Sequence, residues 1–381
     1  MLKRIRIRNF KSLHDVDLEL GKVNVIVGPN SNGKSNLVDF FIFLKEFVNT
    51  SSYPSNPFQT FGTYEDVVFL HYTSLPISFE IIGDNFQYSA DITGKDKFTI
   101  NRETLAYKDF ILKRNFDDVM IGNVKTGVVI KAFLDSSLSV FSIVKNPGPG
   151  LFHIPRESTK LLDEFNELFD FMRNFVNSFI PLRVNSEKAF APVHYSYPPR
   201  LEVDGYGLAR VFDDIVSRKG LPEPISMFLK ENNLSLDRYT SQDGNIVLMA
   251  REFISDLNKT LPLSPRNVPA GIIKMITILF AIYALEPSLL IIDEIENSLH
   301  LKFIEELASA MRYSPPQFII TTHSPMVIDM FDPEDIILFY KEKGETKAER
   351  IKSPEKLKDE LIEKGVSLSE WIFYSIDPTN P

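Results

Sequence analysis

The sequence predicts an α/β fold in which a mixed parallel core sheet carries an antiparallel strand-rich lobe and a helical lobe. Three observations point to it. After Pro269, apolar strands and helices alternate: helix 271–285, strand 289–292, helix 299–312, strand 317–321, helix 325–331, strand 335–340. Alternation of this kind builds a parallel sheet. The run Val23–Val27 is almost wholly apolar, as a strand buried on both faces should be. Between about residues 50 and 150, short alternating runs are punctuated by turn residues, which reads as antiparallel strands.

Taken from the N-terminus, the first segment has period two: Ile5 and Ile7 point one way, Arg4, Arg6 and Arg8 the other. Asp15–Leu20 alternates again. Gly28–Ser35 follows Val23–Val27 as a loop, and Asn36–Phe47 is an amphipathic helix rich in Phe and Leu. Strands are expected at Ile77–Ile82, Phe86–Ile92, Phe98–Asn101 and Val128–Phe133. Pro155 to Pro181 has a helical pattern, and Ala191–Tyr197 is expected to be a core strand. Leu208–Asn233 should be helical with a break at Gly220–Pro224, and Val247–Lys259 a further helix. The Lys- and Glu-rich stretch 341–364 is expected to be a hairpin turn and a solvated helix.

Composition narrows the chemistry. The 381 residues are 44% hydrophobic and 24% charged, which allows a sizeable core and argues against disorder. Forty-two Lys and Arg against 51 Asp and Glu leave a net charge of −9, unlike a protein that coats nucleic acid through its overall charge. There is no cysteine, so disulfides, thiolate metal sites and cysteine nucleophiles are excluded. The longest apolar run, Met275–Leu285, has 11 residues, against about 20 for a membrane span. The basic N-terminus lacks the apolar stretch of a signal peptide. The expectation is a cytoplasmic protein with no membrane partner.

Two motifs carry the chemistry. Gly28-Pro29-Asn30-Ser31-Asn32-Gly33-Lys34-Ser35 fits G-x-x-x-x-G-K-[ST], a phosphate-binding loop between an apolar strand and a helix. In such a loop the backbone N–H groups converge on phosphates, Lys34 reaches the β- and γ-phosphates, and the Ser35 hydroxyl binds Mg²⁺. Leu289–Ile292 then delivers Asp293 at the end of an apolar strand, where Mg²⁺ sits in open α/β sheets. Glu294, one residue on, is placed to polarise an attacking water. His323 stands just beyond the strand ending at Thr321. Lys34 and Asp293 are 259 positions apart, too far for a small GTPase.

Together these segments resemble one family. Ile5 through Ser12, Gly28-Pro-Asn with Gly33-Lys-Ser-Asn36, Asp293 through His300, and Thr322-His-Ser-Pro325 look like the RecF/OLD-type ATP-binding proteins, relatives of the SMC heads. Asp204–Ala209 also resembles a segment of that group. The resemblance implies a P-loop NTPase of the ABC-ATPase-head type, with ATP and Mg²⁺ as cofactors. It implies His323 as the switch histidine, and Glu296–His300 as the D-loop. Asn9, Lys11, Ser12 and Asn36 would help bind the nucleotide, the first three near its base and ribose. One composite head would span 1–381: an N-terminal lobe 1–150, a mainly helical lobe 151–270 and a C-terminal α/β lobe 271–381.

Three departures qualify what is inherited. Such heads present Leu-Ser-x-Gly to the partner's γ-phosphate; here Val268-Pro269-Ala270-Gly271 stands in that place, keeping Gly271 and the helix N-terminus but losing the serine hydroxyl. No glutamine stands at the expected lobe junction, where Arg200 either substitutes for it or is a solvated residue of a proline loop. Only 58 residues follow His323, too few for the nuclease domain of OLD proteins.

The expected function is an ATP-hydrolysing head that works as a nucleotide-sandwiched homodimer. Its role would be in DNA repair or defence against foreign DNA, beside a separate nuclease or other effector. The alternative is a scaffold that binds ATP with little turnover and recruits a partner. The five cations Lys3, Arg4, Arg6, Arg8 and Lys11 are either a solvated sheet face or a DNA contact surface.

Overall fold

A computed structural model describes residues 1–49, 56–142, 170–171 and 173–375. The chain divides into two compact units. The first comprises Met1–Gly21, Ile26–Phe179 and Ile336–Lys352; the second comprises Lys22–Val25, Ile180–Asp335 and Ser353–Pro381.

The first unit is dominated by an eight-stranded sheet. Its strands are β1 (Leu2–Phe10), β2 (Leu13–Glu19), β4 (Ile77–Gly83), β5 (Phe86–Thr93), β6 (Thr99–Tyr107), β7 (Phe110–Asn115), β8 (Asp118–Asn123) and β9 (Val129–Phe133), in the order β2-β1-β4-β5-β6-β7-β8-β9. Every pairing is antiparallel. The period-two pattern of β1 sets its register: Ile5 lies opposite Leu18 and Ile7 opposite Val16, all buried. Helix α1 (Lys34–Asn49) covers this sheet with phenylalanines. The Phe40 ring meets Phe10 at 5.5 Å and Phe79 at 5.6 Å, both edge to face, and Phe47 meets Phe79 at 5.6 Å. Aromatic side chains this large supply much of the apolar burial here.

On the opposite face of β1 the cations are matched at home. Arg4 pairs with Asp17, Arg6 and Arg8 share Asp15, and Lys3 pairs with Asp84. These partners come from β2 and the turn after β4, so each of these cations has a carboxylate neighbour on a solvated sheet face. The guanidiniums of Arg4 and Arg6 in turn hold the Asp17 and Asp15 carboxyls below the usual carboxylate range.

The second unit holds the parallel strands. Here β10 (Phe179–Leu182), β15 (Leu289–Ile292), β16 (Gln317–Thr322) and the Val23–Val25 part of β3 (Val23–Val27) lie in the order β10-β15-β16-β3. Strands β15 and β16 run parallel, with Ile291 opposite Ile319, and every residue of both is buried. The longer helices of this unit are α2 (Leu208–Arg218), α3 (Glu223–Glu231), α4 (Ala270–Phe280), α5 (Leu301–Tyr313), α6 (Pro354–Lys364) and α7 (Leu368–Ser375). The hairpin expected after 341 is β17 (Ile336–Glu342) with β18 (Glu345–Arg350), in the first unit, and it pairs Phe339 with Ala348.

Two expectations are corrected. Val247–Lys259 is no helix: β13 (Asn245–Ile254) pairs with β11 (Val193–His194), β12 (Leu234–Thr240) and β14 (Lys259–Leu263). Leu-Met-Ala-Arg-Glu favours a helix locally. The burial of Ile246, Leu248 and Ala250 at alternate positions between neighbouring strands overrides that propensity. Likewise Ala191–Tyr197 contributes only β11, to this antiparallel sheet; the core strand is Phe179–Leu182, too short to announce itself. Of the helix read at Pro155–Pro181, residues 155–169 lie outside the described residues, and 173–177 are helical.

Candidate functional site

In the first unit the phosphate loop leaves β3 and enters α1. Its two glycines are dictated by space. A Cβ on Gly28 would lie 2.1 Å from the Phe339 carbonyl oxygen, and Gly33 has φ +94° with a Cβ position 2.2 Å from Thr346 Oγ1. Lys34 is buried and folds back over the loop, donating from Nζ to the carbonyls of Gly28 (2.6 Å) and Pro29 (3.0 Å). Pro29, Asn30, Ser31 and Ser35 are exposed, and Ser31 takes a left-handed turn at φ 67°.

Ser12 and Asn36 join the loop from below. Asn36 Nδ2 donates to Ser12 Oγ (2.7 Å), which lies 2.7 Å from Thr346 Oγ1, and Thr346 Oγ1 donates to the Asn32 carbonyl (3.0 Å). Asn32 Nδ2 reaches the Phe339 carbonyl at 3.2 Å. Ser12 therefore braces the phosphate loop. Thr346 was invisible in the sequence, because nothing in the Lys/Glu-rich hairpin distinguishes it. Asn9 and Lys11 both have left-handed backbones, at φ 59° and 50°. Lys11 pairs with Asp39 of α1, and Asn9 Nδ2 donates to the Pro76 carbonyl (2.7 Å) while its buried Oδ1 has no partner. An orphaned buried acceptor is costly and fits a ligand donor.

In the second unit a cluster forms at the ends of β15 and β16. Asp293 accepts from Thr321 Oγ1 (2.6 Å) and from Arg183 Nε (2.7 Å), and its amide donates to the Leu182 carbonyl (2.9 Å). Glu294 has φ 47°, and its amide donates to the same Thr321 hydroxyl at 2.8 Å. Asn297 Nδ2 donates to Glu294 Oε2. Glu296 Oε1 accepts from the His323 amide (2.8 Å) and lies 2.8 Å from His323 Nδ1; its Oε2 is buried without a partner. The cluster thus brings together Asp293, Glu294 and His323 of the sequence-derived residues.

It also brings in residues the sequence reading missed. Arg183 follows the short strand β10; Arg200, read either as a substitute for the junction glutamine or as a solvated residue, pairs with Glu202 at the surface. Lys274 of α4 is buried, and its Nζ donates to the carbonyls of Glu294 (2.8 Å), Ile295 (3.2 Å) and Asn297 (2.9 Å). It holds the turn that carries Glu294. Gly271, in the first turn of α4, lies against the Ser298 carbonyl, 2.3 Å from where a Cβ would be. His300 caps α5, accepting from the Lys302 amide at 3.4 Å.

Burial pushes the Lys274 ammonium down from 10.5 to about 8. At pH 7 it is still charged, with three donors for three carbonyls. Its folded value lies below the unfolded one, so the unfolded chain binds more protons between pH 8 and 10.5, and this site's contribution to stability rises with pH across that window. Lys274→Met should remove that rise. Urea denaturation at pH 7.5 and pH 10 checks it; an unchanged pH slope would assign the rise to another group.

Comparison with known proteins now decides the family. A model described as "AAA ATPase domain" matches residues 1–191, half of the chain. The chain belongs to the AAA ATPase domain family. A second AAA domain model, named for the AbiEii toxin, Type IV TA system, matches residues 152–329 of this AAA ATPase. Chromosome partition protein Smc of Methanocaldococcus jannaschii is 31% identical over 94 residues, covering 24% of this chain and 8% of that protein. The OLD nuclease of Thermus scotoductus is 50% identical over 38 residues, 10% of this chain and 7% of that protein. The AAA ATPase thus spans less than a tenth of either relative's length. Among solved structures, an SMC head bound to the C-winged helix domain of ScpA is similar at a TM-score of 0.49 and 15% identity, covering 94% of this chain and 99% of that one.

The family implies ATP as the nucleotide, and the residues fit it: a lysine folded over a glycine-gated loop, with exposed loop residues leading into a helix N-terminus. The donors also suit Mg²⁺, which is bound through one or two carboxylates, hydroxyls, water and substrate phosphates rather than by a cage of protein ligands. Asp293 offers a carboxylate of this kind in the second unit, and Ser35 a hydroxyl in the first. Among the described residues no group of three or more His, Asp or Glu could hold a metal by itself. No described helix is long and apolar enough to cross a membrane.

Proposed function

We propose that this AAA ATPase binds and hydrolyses ATP with Mg²⁺, acts as a homodimer with ATP between subunits, and serves DNA repair or defence beside a separate effector such as a nuclease. The placement of Glu294 carries the catalytic part. Its backbone is pinned by Thr321 and Lys274 and its carboxylate is oriented by Asn297, as a base that aligns water requires. Lys34 and the loop amides bind the phosphates, and Ser35 and Asp293 hold Mg²⁺, which when bound neutralises phosphate charge. His323, held by Glu296, is the residue to which this reading gives the sensing of the γ-phosphate. The DNA role rests on the likeness to Smc and OLD nuclease segments. It does not rest on the β1 arginines, because each already has an aspartate neighbour.

A second reading, a scaffold with little turnover, is favoured by one observation. Pro269 is the N-cap of α4 and has no side-chain capping bond, where a serine hydroxyl would serve a partner's phosphate. One missing charge-assisted hydrogen bond costs about 1.5–3 kcal/mol, roughly 10- to 150-fold in an equilibrium constant. ATP should therefore promote dimerisation only modestly, and Pro269→Ser should strengthen it. Sedimentation velocity in the Glu294→Gln background, with and without ATP, measures both. A dimer indifferent to nucleotide in both proteins would end the sandwich mechanism; a monomer in both would point to a partner protein supplying the second half. Steady-state ATP hydrolysis with and without DNA separates enzyme from scaffold.

A further inference from the structure

Arg183 has no place in either nucleotide motif, yet it makes an ion pair with the carboxylate they depend on. It follows directly on β10, and its Nε donates to Asp293 Oδ2 at 2.7 Å while Thr321 Oγ1 holds Oδ1 at 2.6 Å. Both carboxylate oxygens are thereby engaged. Asp293 is 8% exposed, and a carboxylate so buried needs a compensating cation. The Arg183 side chain is 35% exposed, so the pair lies within reach of solvent.

We infer that Arg183 is a positioning residue: it is the resident cation of the Asp293 carboxylate, and Mg²⁺ gains that carboxylate only by displacing it. The inference rests on the proposed reading of Asp293 as the Mg²⁺ ligand. Two cations compete for one buried carboxylate, and low dielectric forbids leaving it bare. Mg²⁺ alone, strongly hydrated, competes poorly; Mg²⁺ already neutralised and oriented by ATP phosphates competes well. The pair therefore keeps the catalytic aspartate preformed and makes metal entry conditional on nucleotide. Arginine suits this task because it stays charged at every accessible pH and holds a carboxylate through directed N–H bonds.

The test is calorimetric titration of the full chain with ATP at stepped Mg²⁺ concentrations, which gives the Mg²⁺ needed for half-maximal tight binding. Removing the competing cation in Arg183→Gln should lower that concentration about tenfold, the low end for one charge-assisted hydrogen bond. ATP affinity in excess EDTA should not change. Arg183→Lys keeps a cation without the guanidinium geometry and should lower the Mg²⁺ requirement by a smaller factor, about threefold. If Arg183→Gln does not fold, as judged by circular dichroism, the lysine variant alone decides: no lowering overturns the inference. Asp293→Asn should abolish the Mg²⁺ dependence. Should it do so while Arg183→Gln needs as much Mg²⁺ as wild type, or more, Arg183 is no competitor and the inference fails while the Asp293 reading stands. Should Asp293→Asn keep the wild-type Mg²⁺ dependence, the Asp293 reading itself is wrong and the inference falls with it.

Discussion

Lys34→Ala is expected to weaken ATP binding at least about 100-fold, because the loop loses its lysine at the β- and γ-phosphates and each charge-assisted hydrogen bond contributes about 1.5–3 kcal/mol. Lys34 has a second task within the loop itself. Its Nζ closes the loop on the carbonyls of Gly28 and Pro29, and the side chain is buried. The variant should therefore also loosen the loop, since two carbonyls lose their donor. The two effects separate by measurement. Thermal unfolding without nucleotide reports the clamp, and calorimetric titration with Mg²⁺·ATP reports the phosphates. A variant that melts like wild type but binds ATP far less would assign Lys34 to the ligand. A variant that binds ATP as wild type does would reduce the loop to a glycine turn between strand and helix.

What could be read from the sequence was whatever is local. Val23–Val27, Leu289–Ile292 and Gln317–Thr322 are buried on both faces and announce themselves as apolar runs. The phosphate loop has a fixed spacing because its geometry is made within eight residues. Asp293, Glu294 and His323 follow those strands and inherit their legibility. The residues that were missed are those whose role depends on a distant partner. Thr346 lies 334 positions from Ser12 yet shares a hydrogen bond with it. Arg183 is 110 positions from Asp293, after a four-residue strand containing a proline. Lys274 lies in an otherwise apolar helix, and its three carbonyl partners are 20, 21 and 23 positions away. The failure at Val247–Lys259 has the same cause, since only the neighbours β12 and β14 make those residues a strand.

Glu294→Gln is expected to leave ATP binding within about twofold of wild type and to lower turnover by about 10²–10⁴, the usual contribution of a general base. The substitution is nearly silent structurally. The backbone at φ 47° is held by Thr321 through the amide and by Lys274 through the carbonyl, and neither contact involves the side chain. A glutamine can turn its amide oxygen toward Asn297 Nδ2, so the hydrogen bond that orients Glu294 survives. What is lost is the capacity to accept a proton from water. ATP should then persist on the protein, and any species that needs bound ATP, the proposed dimer included, should accumulate. Steady-state hydrolysis together with calorimetric ATP affinity on both proteins gives the answer. A wild type that turns over and a variant that matches it would remove Glu294 as the base and leave the water to another group of the cluster. A wild type with no turnover above background, with or without DNA, would favour the scaffold, in which a preformed Asp293–Glu294 turn serves to register ATP rather than to cleave it.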